Sequence, residues 1–388
     1  MRDGTSRILL IGAGHAHVEV LRQARVRPAA SSEWVLAVDS HPAIYSGMLP
    51  GFVAGQYRAA DLSIDAIALA RRAGAEVVLE AVTRIDAERQ RAVTASGREL
   101  AYDFASLDVG SGLAGTDLPG VAEHALPVRP IQRFFAGVEE CIARARDASG
   151  RQPFRLLVIG AGAGGVELSF CLEARLRAET SRGVAVTLLD RAETILPGGA
   201  ASLERRVVGA ARRRGIRFEL GAPVEALERG AVLLGGGRRL EADAVVWSPG
   251  PAAHPFLRAS GLPVDARGFV RVRPTFQVEE SDRLFAVGDC ASLAGMQKAG
   301  VYAVRGGPIL AENLRRLPEG RPLRVYRPQR QFLSLLNLGD GTAIGTWRGI
   351  GFEGRWVMRL KDRIDRRFVE RYRCDTDPGG EPCSLASR

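Results

Sequence analysis

The sequence predicts an α/β protein built from two similar halves, each a parallel sheet flanked by helices, and three observations predict it. Ile8-Leu9-Leu10-Ile11 runs into Gly12-Ala13-Gly14 and then into a helix-like stretch from His15. The same order returns at Leu156-Leu157-Val158-Ile159, which is followed by Gly160-Ala161-Gly162-Ala163-Gly164-Gly165. Each half continues through short alternating runs to an apolar strand that stops at a glycine, Gly110 in the first and Gly250 in the second. Four consecutive apolar residues read as a strand buried on both faces, the mark of a parallel sheet. Duplication of one unit explains the repeat most simply.

In the first half, Gly12 permits a tight turn and Gly14 lets backbone approach a pyrophosphate. The helix from His15 to Arg25 presents free N–H groups and the positive end of its dipole to that negative charge. The next strand, Trp34 to Val38, ends at Asp39, the acidic residue expected at a ribose. His17 departs from the pattern, because it stands where a third glycine usually sits. The segment His41 to Gly51 carries two prolines and two glycines and reads as a shaped loop beside the nucleotide or as a plain crossover. Met48 in this loop is a candidate cofactor contact. A helix from Leu62 to Arg72 follows, then runs at Glu76–Leu79, Val82–Ile85, Ala92–Thr94 and Glu99–Phe104 that suggest a strand and a small antiparallel excursion. Val82 is a second candidate contact. Leu107 to Ser111 reads as a strand ending at Gly110, where backbone comes close to a cofactor. Leu118-Pro119-Gly120 is a linker.

The second half opens with a helix from Pro130 to Arg146. Gly160, Gly162 and Gly165 are all in register, Val166 to Arg177 forms the crossover, and Asp190 closes the next strand. A helix from Leu203 to Arg214, short strands, and Ala244 to Gly250 complete the unit. From Gly268 the chain returns to the first unit through a strand ending in Gly288-Asp289 and a helix from Lys298 to Leu317. The expected fold is therefore two Rossmann-like dinucleotide-binding domains with parallel sheets and small antiparallel excursions. The first domain is discontinuous, at 1–120 and 266–325, and the second spans 121–265. A small C-terminal α+β region fills 326–388, with two strand-like runs and a helix from Arg355 to Arg373.

At 388 residues and 46% hydrophobic side chains the chain has material for several full cores. Its 54 basic and 44 acidic residues give a net charge of +10, with arginine spread throughout. No recognition module or aromatic–basic interleaving is present, so nucleic acid is not expected as a partner. Met1 to Arg7 is polar and no apolar run reaches the ~18 residues of a membrane span. The expectation is a cytoplasmic protein, soluble or peripheral at the inner face of the membrane. The five cysteines form no Cys-x-x-Cys pair and suit a reducing compartment.

Gly12 to His17, Tyr45 to Gly51 and Lys298 to Arg305 carry a resemblance that runs from Arg7 to about Tyr372. The sequence resembles the two-dinucleotide flavoproteins of the pyridine nucleotide-disulfide oxidoreductase superfamily. Within it, the chain looks most like the type II NADH dehydrogenase group, and the branch also found fused in front of selenide, water dikinase. That branch has a histidine at the place of His17. The resemblance implies FAD on the first glycine turn, with His15 and Gly110 beside it, and NAD(P)H on the second, with Gly250. It implies that Asp289, after Gly288, binds the flavin's ribityl chain, the alternative being a helix-capping aspartate. It points the helix N-terminus near Ala299 and Val301 at the flavin's pyrimidine edge, where the dipole favours reduced flavin. It places Glu167 beside the nicotinamide, as a proton relay or else as a surface or capping residue. Asp190 is expected to favour NADH over NADPH, with Arg191 working against that preference.

The disulfide reductases carry Cys-x-x-x-x-Cys above the flavin, and this chain has no cysteine before Cys141, so no such dithiol relay is expected. Cys141, Cys171 and Cys290 read as packing, Cys374 and Cys383 as part of a Pro-Gly-rich tail. Electrons are expected to pass from flavin to a small, quinone-like acceptor. His15, His17, Tyr45, Lys298 and Tyr302 are candidates for its pocket, with Lys298 and Glu167 as catalytic candidates; for either histidine, packing or pyrophosphate contact is the alternative. In the C-terminal region, Trp356, Leu360, Ile364, Phe368 and Tyr372 lie at helical spacing among arginines, suited to an anionic membrane surface, to the chain's own domain or to a partner such as a second copy. The rival functions are a sulfur- or selenium-linked flavoenzyme using Cys374 or Cys383, and a redox sensor without turnover.

Overall fold

The computed structural model describes residues 5–27, 32–147 and 152–373, so Cys374 and Cys383 lie outside the described residues. Strand β1 (Ser6–Ile11) enters helix α1 (His15–Val26) and the chain returns in β2 (Ser32–Ala37). A short helix α2 (Leu49–Val53) and α3 (Ala66–Arg72) lead to β3 (Glu76–Val78). The three-stranded excursion Val82–Asp86, Arg91–Thr94 and Glu99–Ala101 precedes β4 (Phe104–Leu107). Strand β4 ends before Asp108 rather than at Gly110. Its four residues are the ones that pair along β1, and Asp108 to Ser111 form the turn beyond the sheet edge. Helix α3 also begins later than expected, because the Asp65 carboxylate caps it by accepting from Ala68 N at 2.7 Å.

The second half repeats the plan. Strand β5 (Leu126–Pro127), helix α4 (Ile131–Asp147), β6 (Phe154–Ile159), α5 (Ala163–Glu179) and β7 (Val184–Leu189) are followed by α6 (Ala201–Arg214), β8 (Arg217–Glu219), a second three-stranded excursion and β9 (Ala244–Trp247). The chain then rejoins the first half through β10 (Leu284–Ala286) and α7 (Gly300–Arg316). The tail has three strands where two were expected, β11 (Ser334–Asn337), β12 (Ala343–Trp347) and β13 (Ile350–Gly354), before helix α8 (Arg355–Glu370).

Two five-stranded parallel sheets result, ordered β10-β4-β1-β2-β3 and β5-β9-β6-β7-β8. Each has its own apolar core, one around Ile8 to Ile11 and one around Leu156 to Ile159. In register, Ile11 lies beside Ala37 and Leu107, and Ile159 beside Leu189 and Trp247. Both glycine turns therefore emerge at the carboxyl ends of their strands where the strand order reverses, the place at which open α/β sheets bind ligands. A two-stranded antiparallel link, Gly112–Leu113 with Pro251–Ala252, ties the loops after β4 and β9 together. Helix α2 packs on α5 and places Leu49 and Val53 in the second core. The shaped loop thus joins the two halves.

Candidate active site

A cleft of about 780 Å³ opens over the first glycine turn. Gly12 sits at φ +85°, and a Cβ there would lie 2.5 Å from the Asp108 carbonyl oxygen, so the turn requires glycine. Gly12, Gly14, His15, Asp39, Val82, Gly110, Asp289, Lys298 and Ala299 all line this cleft. Gly250 and the second turn lie outside it, and so do Met48, fully buried in the first core, and Val301, packed against that core. For Met48 the cause is local: a 3-10 turn over Ser46–Met48 leads into α2 and turns the side chain inward.

His17 answers the missing third glycine. In the second half, a Cβ at Gly165 would lie 1.7 Å from the Gly160 carbonyl oxygen. At the matching place His17 is fully buried, with Nδ1 2.7 Å from the Gly12 carbonyl oxygen and Nε2 2.9 Å from Ser106 Oγ. The carbonyl only accepts, so Nδ1 carries the proton and Nε2 accepts from the serine hydroxyl. Burial holds this imidazole neutral, its pKa lowered to about 4. His17 is a structural wedge. His15 is also held neutral, lowered to about 4 by burial, but its buried Nε2 meets no partner among the described residues and it lines the cleft.

The Gly288 turn delivers Asp289, which accepts from Arg129 at 3.3 Å and lies 3.5 Å from Ser111 Oγ. Arg129 was not singled out in the sequence. It comes from the linker before α4, and with Pro130, Ile131, Gln132, His254 and Phe256 it closes the cleft from the other half. The N-terminus of α7 opens onto the same space at Ala299 and Gly300. A glycine cradle, an acidic residue at the β2 end, an aspartate on a Gly-Asp turn and an orphaned buried imidazole nitrogen fit a dinucleotide with a polar middle and a flat end. Lys298 lines the wall, but its ammonium donates to the Ala291 carbonyl and sits 3.8 Å from the centre of the Phe269 ring. Those contacts hold it against the wall.

In the second turn, Gly160 has φ +110°, and a Cβ at Gly162 would meet nothing within 4 Å. Asp190 binds the turn itself, accepting from Ala161 N at 2.6 Å and Ala192 N at 2.8 Å. Its carboxylate thus sets the shape of the loop on which a ribose would rest. Glu167 points to the C-terminal region, where it accepts from Asn337 N at 2.8 Å. Burial pushes its pKa up to about 7, against the pull of Lys361.

Lys361 forms the centre of a buried polar cluster that the sequence reading missed. It donates to Asp365 Oδ2 at 2.9 Å and to the Gly47 carbonyl at 2.8 Å. Tyr45 donates to the other Asp365 oxygen at 3.2 Å and stacks on Phe368, whose ring also meets His15. Tyr57 donates to Asp362, and Tyr372 to Glu19. Helix α8 therefore clamps the shaped loop and reaches the first turn through His15. Tyr302 takes no part, being buried and bonded to the Gln329 carbonyl. A signal for Lys361 existed: among 54 basic residues only Lys298 and Lys361 are lysines, and both are largely buried. Burial pulls the Lys361 pKa down, but the Glu167 and Asp365 carboxyls outweigh it and raise it, so the amine serves as a fixed charge in the cluster. Cys141, Cys171 and Cys290 are buried, with thiol pKa values pushed upward by burial, Cys290 to about 12. None is activated as a nucleophile.

The sequence pattern of the pyridine nucleotide-disulphide oxidoreductase family matches residues 6–313. An NADH dehydrogenase-like protein of Mycobacterium tuberculosis is 30% identical over 57% of this chain, and the match spans only 56% of that protein's length. The demethylphylloquinone reductase of a Synechocystis species is 24% identical, covering 97% of this chain and 94% of the relative. Among solved structures, the sulfide:quinone oxidoreductase of Aquifex aeolicus superposes with a TM-score of 0.82 at 18% identity, over 98% of this chain and all of that one.

Proposed function

The chain belongs to the pyridine nucleotide-disulphide oxidoreductase family, and from that premise we propose that it is an FAD-dependent NAD(P)H oxidoreductase serving a quinone-like acceptor. The observation that carries the proposal is the pair of glycine turns, each at the reversal point of its own sheet, joined by one antiparallel link and one shared cleft wall. FAD bound over the first turn supplies hydride acceptance and onward electron transfer. The Gly12–Gly14 turn and the His15 N–H would meet its diphosphate, Asp39 its adenosine ribose, and Asp289 its ribityl hydroxyls. The N-terminus of α7 would face its ring. The second turn and Asp190 would hold the reductant, favouring NADH.

On the acceptor side, Glu167 and Lys361 lie in one buried cluster, so an acid with pKa near 7 sits beside an amine where α5, α8 and the shaped loop meet. The carboxyl of this pair can deliver a proton to a reduced quinone, while Glu167 and Asp365 raise the pKa of the amine against the desolvation of burial. Outside the cluster, α8 and the β12–β13 hairpin expose Trp347, Ile350, Trp356 and Ile364 next to Arg348, Arg355, Arg359 and Arg363. Ile350 is 71% exposed and Trp356 54%. We read this face as one that rests on an anionic bilayer, and among the described residues no helix is long and apolar enough to cross one. The sulfur-linked alternative gains nothing from the described cysteines, which are buried.

The test is steady-state turnover with NADH, NADPH and a soluble quinone analogue, with and without anionic vesicles. The proposal expects a higher kcat/KM for NADH and binding to anionic but not zwitterionic vesicles. A clear preference for NADPH, or no quinone reduction by flavin-loaded protein, would overturn it.

A further inference from the structure

The two halves differ at one position that the duplication makes comparable. Asp108 N donates to the Ile11 carbonyl and Ser248 N to the Ile159 carbonyl, and the carbonyls of Asp108 and Ser248 press on Gly12 and Gly160 in the same way. Asp108 and Ser248 are thus counterparts. In the second half, the serine side chain comes no nearer than 3.8 Å to a Cβ built on Gly164, and the space before Gly162 is open. In the first half, Asp108 Oδ2 accepts from Ala16 N at 2.8 Å and from His17 N at 3.0 Å. A Cβ on Gly14 would lie 2.3 Å from this carboxyl group and one on Gly288 2.6 Å from it. Gly14 is therefore glycine because Asp108 fills the space in front of it. The carboxyl is 3% exposed and lines the cleft beside the turn.

We propose that Asp108 is a positioning residue of the first dinucleotide turn. Its carboxyl group ties the first turn of α1 to the end of β4, takes two of the N–H donors that the second half keeps for its ligand, and makes coenzyme retention depend on pH. This rests on the reading of that turn as the flavin coenzyme's diphosphate site. A helix N-terminus stabilises one nearby anion, and here two compete for it. With Asp108 protonated, the two N–H bonds remain and the diphosphate meets no opposing charge. With Asp108 ionised, a buried carboxylate faces a dianion across one turn of backbone.

The groups around Asp108 leave it as the carboxyl that titrates in the working range. Desolvation raises its pKa to about 7, against the pull of the His17 and Ala16 N–H groups. From α1 it faces His15 and His17, both lowered to about 4 and so neutral. From the β10 turn it faces Asp289, whose charge raises it further, and Cys290, pushed up to about 12. Arg129 donates to Asp289 at 3.3 Å on the same side. Lys298, whose pKa burial lowers, lines the same cleft and is controlled by the variants below. Because the diphosphate favours the protonated form, affinity is full below about pH 7 and falls as pH rises through that value.

The experiment measures the Kd for FAD by flavin fluorescence from pH 6 to 9, using the full-length protein, Asp108→Asn and Asp108→Ser. Asparagine keeps an acceptor oxygen for Ala16 and His17 without a charge; serine is the second half's own residue. The expected result is a wild-type Kd that weakens roughly tenfold per pH unit above about 7, and variants whose Kd changes by less than about threefold across the range. A flat wild-type profile, or the wild-type slope persisting in both variants, would overturn the inference. Failure to bind FAD at any pH would instead remove the reading of the turn on which it rests.

Discussion

Removing the Lys361 ammonium is the perturbation whose size the structure fixes best. Lys361 and Asp365 are 6% and 4% exposed and lie one helical turn apart on α8. Among the described residues, Lys361→Met leaves Asp365 with the Tyr45 hydroxyl and removes the side-chain donor to the Gly47 carbonyl. Breaking a buried pair in this way costs about 3–5 kcal/mol. The loss depends on pH with a definite sign. The pKa of Asp365 is already raised by burial, and without the amine it rises further. The folded variant then holds more protons than the unfolded chain, so its stability falls as pH rises through the new folded value. Urea unfolding followed by tryptophan fluorescence, with Trp347 and Trp356 flanking the clamp, should show a larger deficit at pH 8 than at pH 5.5. Lys361→Met combined with Asp365→Leu should recover most of it, because an apolar pair of similar volume leaves neither member of the ion pair buried without its partner. A single variant within about 1 kcal/mol of wild type at pH 8, or a double variant that loses the sum of the two singles, would refute the reasoning.

Other perturbations separate the two nucleotide sites. Gly165→Ala puts a methyl group 1.7 Å from a backbone oxygen and pushes α5 away from its turn. Overpacking of about 1–3 kcal/mol corresponds to a roughly 5- to 150-fold weaker Kd for NADH, with flavin content unchanged in the absorbance spectrum. Asp289→Ala should purify depleted of flavin, measured as the ratio of visible to ultraviolet absorbance; full occupancy would contradict its assignment. Glu167→Gln should flatten the pH profile of acceptor reduction. The wild-type rate is expected to fall as pH rises through about 7, where this carboxyl loses its proton. An unchanged profile would exclude Glu167 as the proton source.

What the sequence disclosed was local. A strand, a glycine turn and a helix N-terminus lie within about ten residues, so both turns and Asp39 were readable from spacing, whereas the role of the Gly288-Asp289 pair came only from the family resemblance. Asp108 passed as one residue of the strand read over Leu107 to Ser111, because its meaning depends on Gly14 and Gly288, which only the fold brings to it. Arg129 read as an ordinary polar residue before a proline, and crosses between halves to reach Asp289. Helix α8 was half legible for a physical reason. The stripe through Trp356, Leu360, Ile364, Phe368 and Tyr372 left a membrane surface, the chain's own domain and a partner open; Phe368 and Tyr372 pack inward while Trp356 and Ile364 are exposed, and the packed face also carries Val357, Met358, Lys361, Asp365 and Val369. A buried ion pair disguises an inward face as an outward one, and leaves Trp356 and Ile364 exposed.

The most direct test of the central claim is an anaerobic half-reaction. Purified protein, titrated with NADH under nitrogen, should lose its yellow absorbance at one equivalent and regain it on addition of a quinone analogue. A chain that carries no flavin and takes none up, or a bound flavin that NADH fails to bleach, would contradict the account.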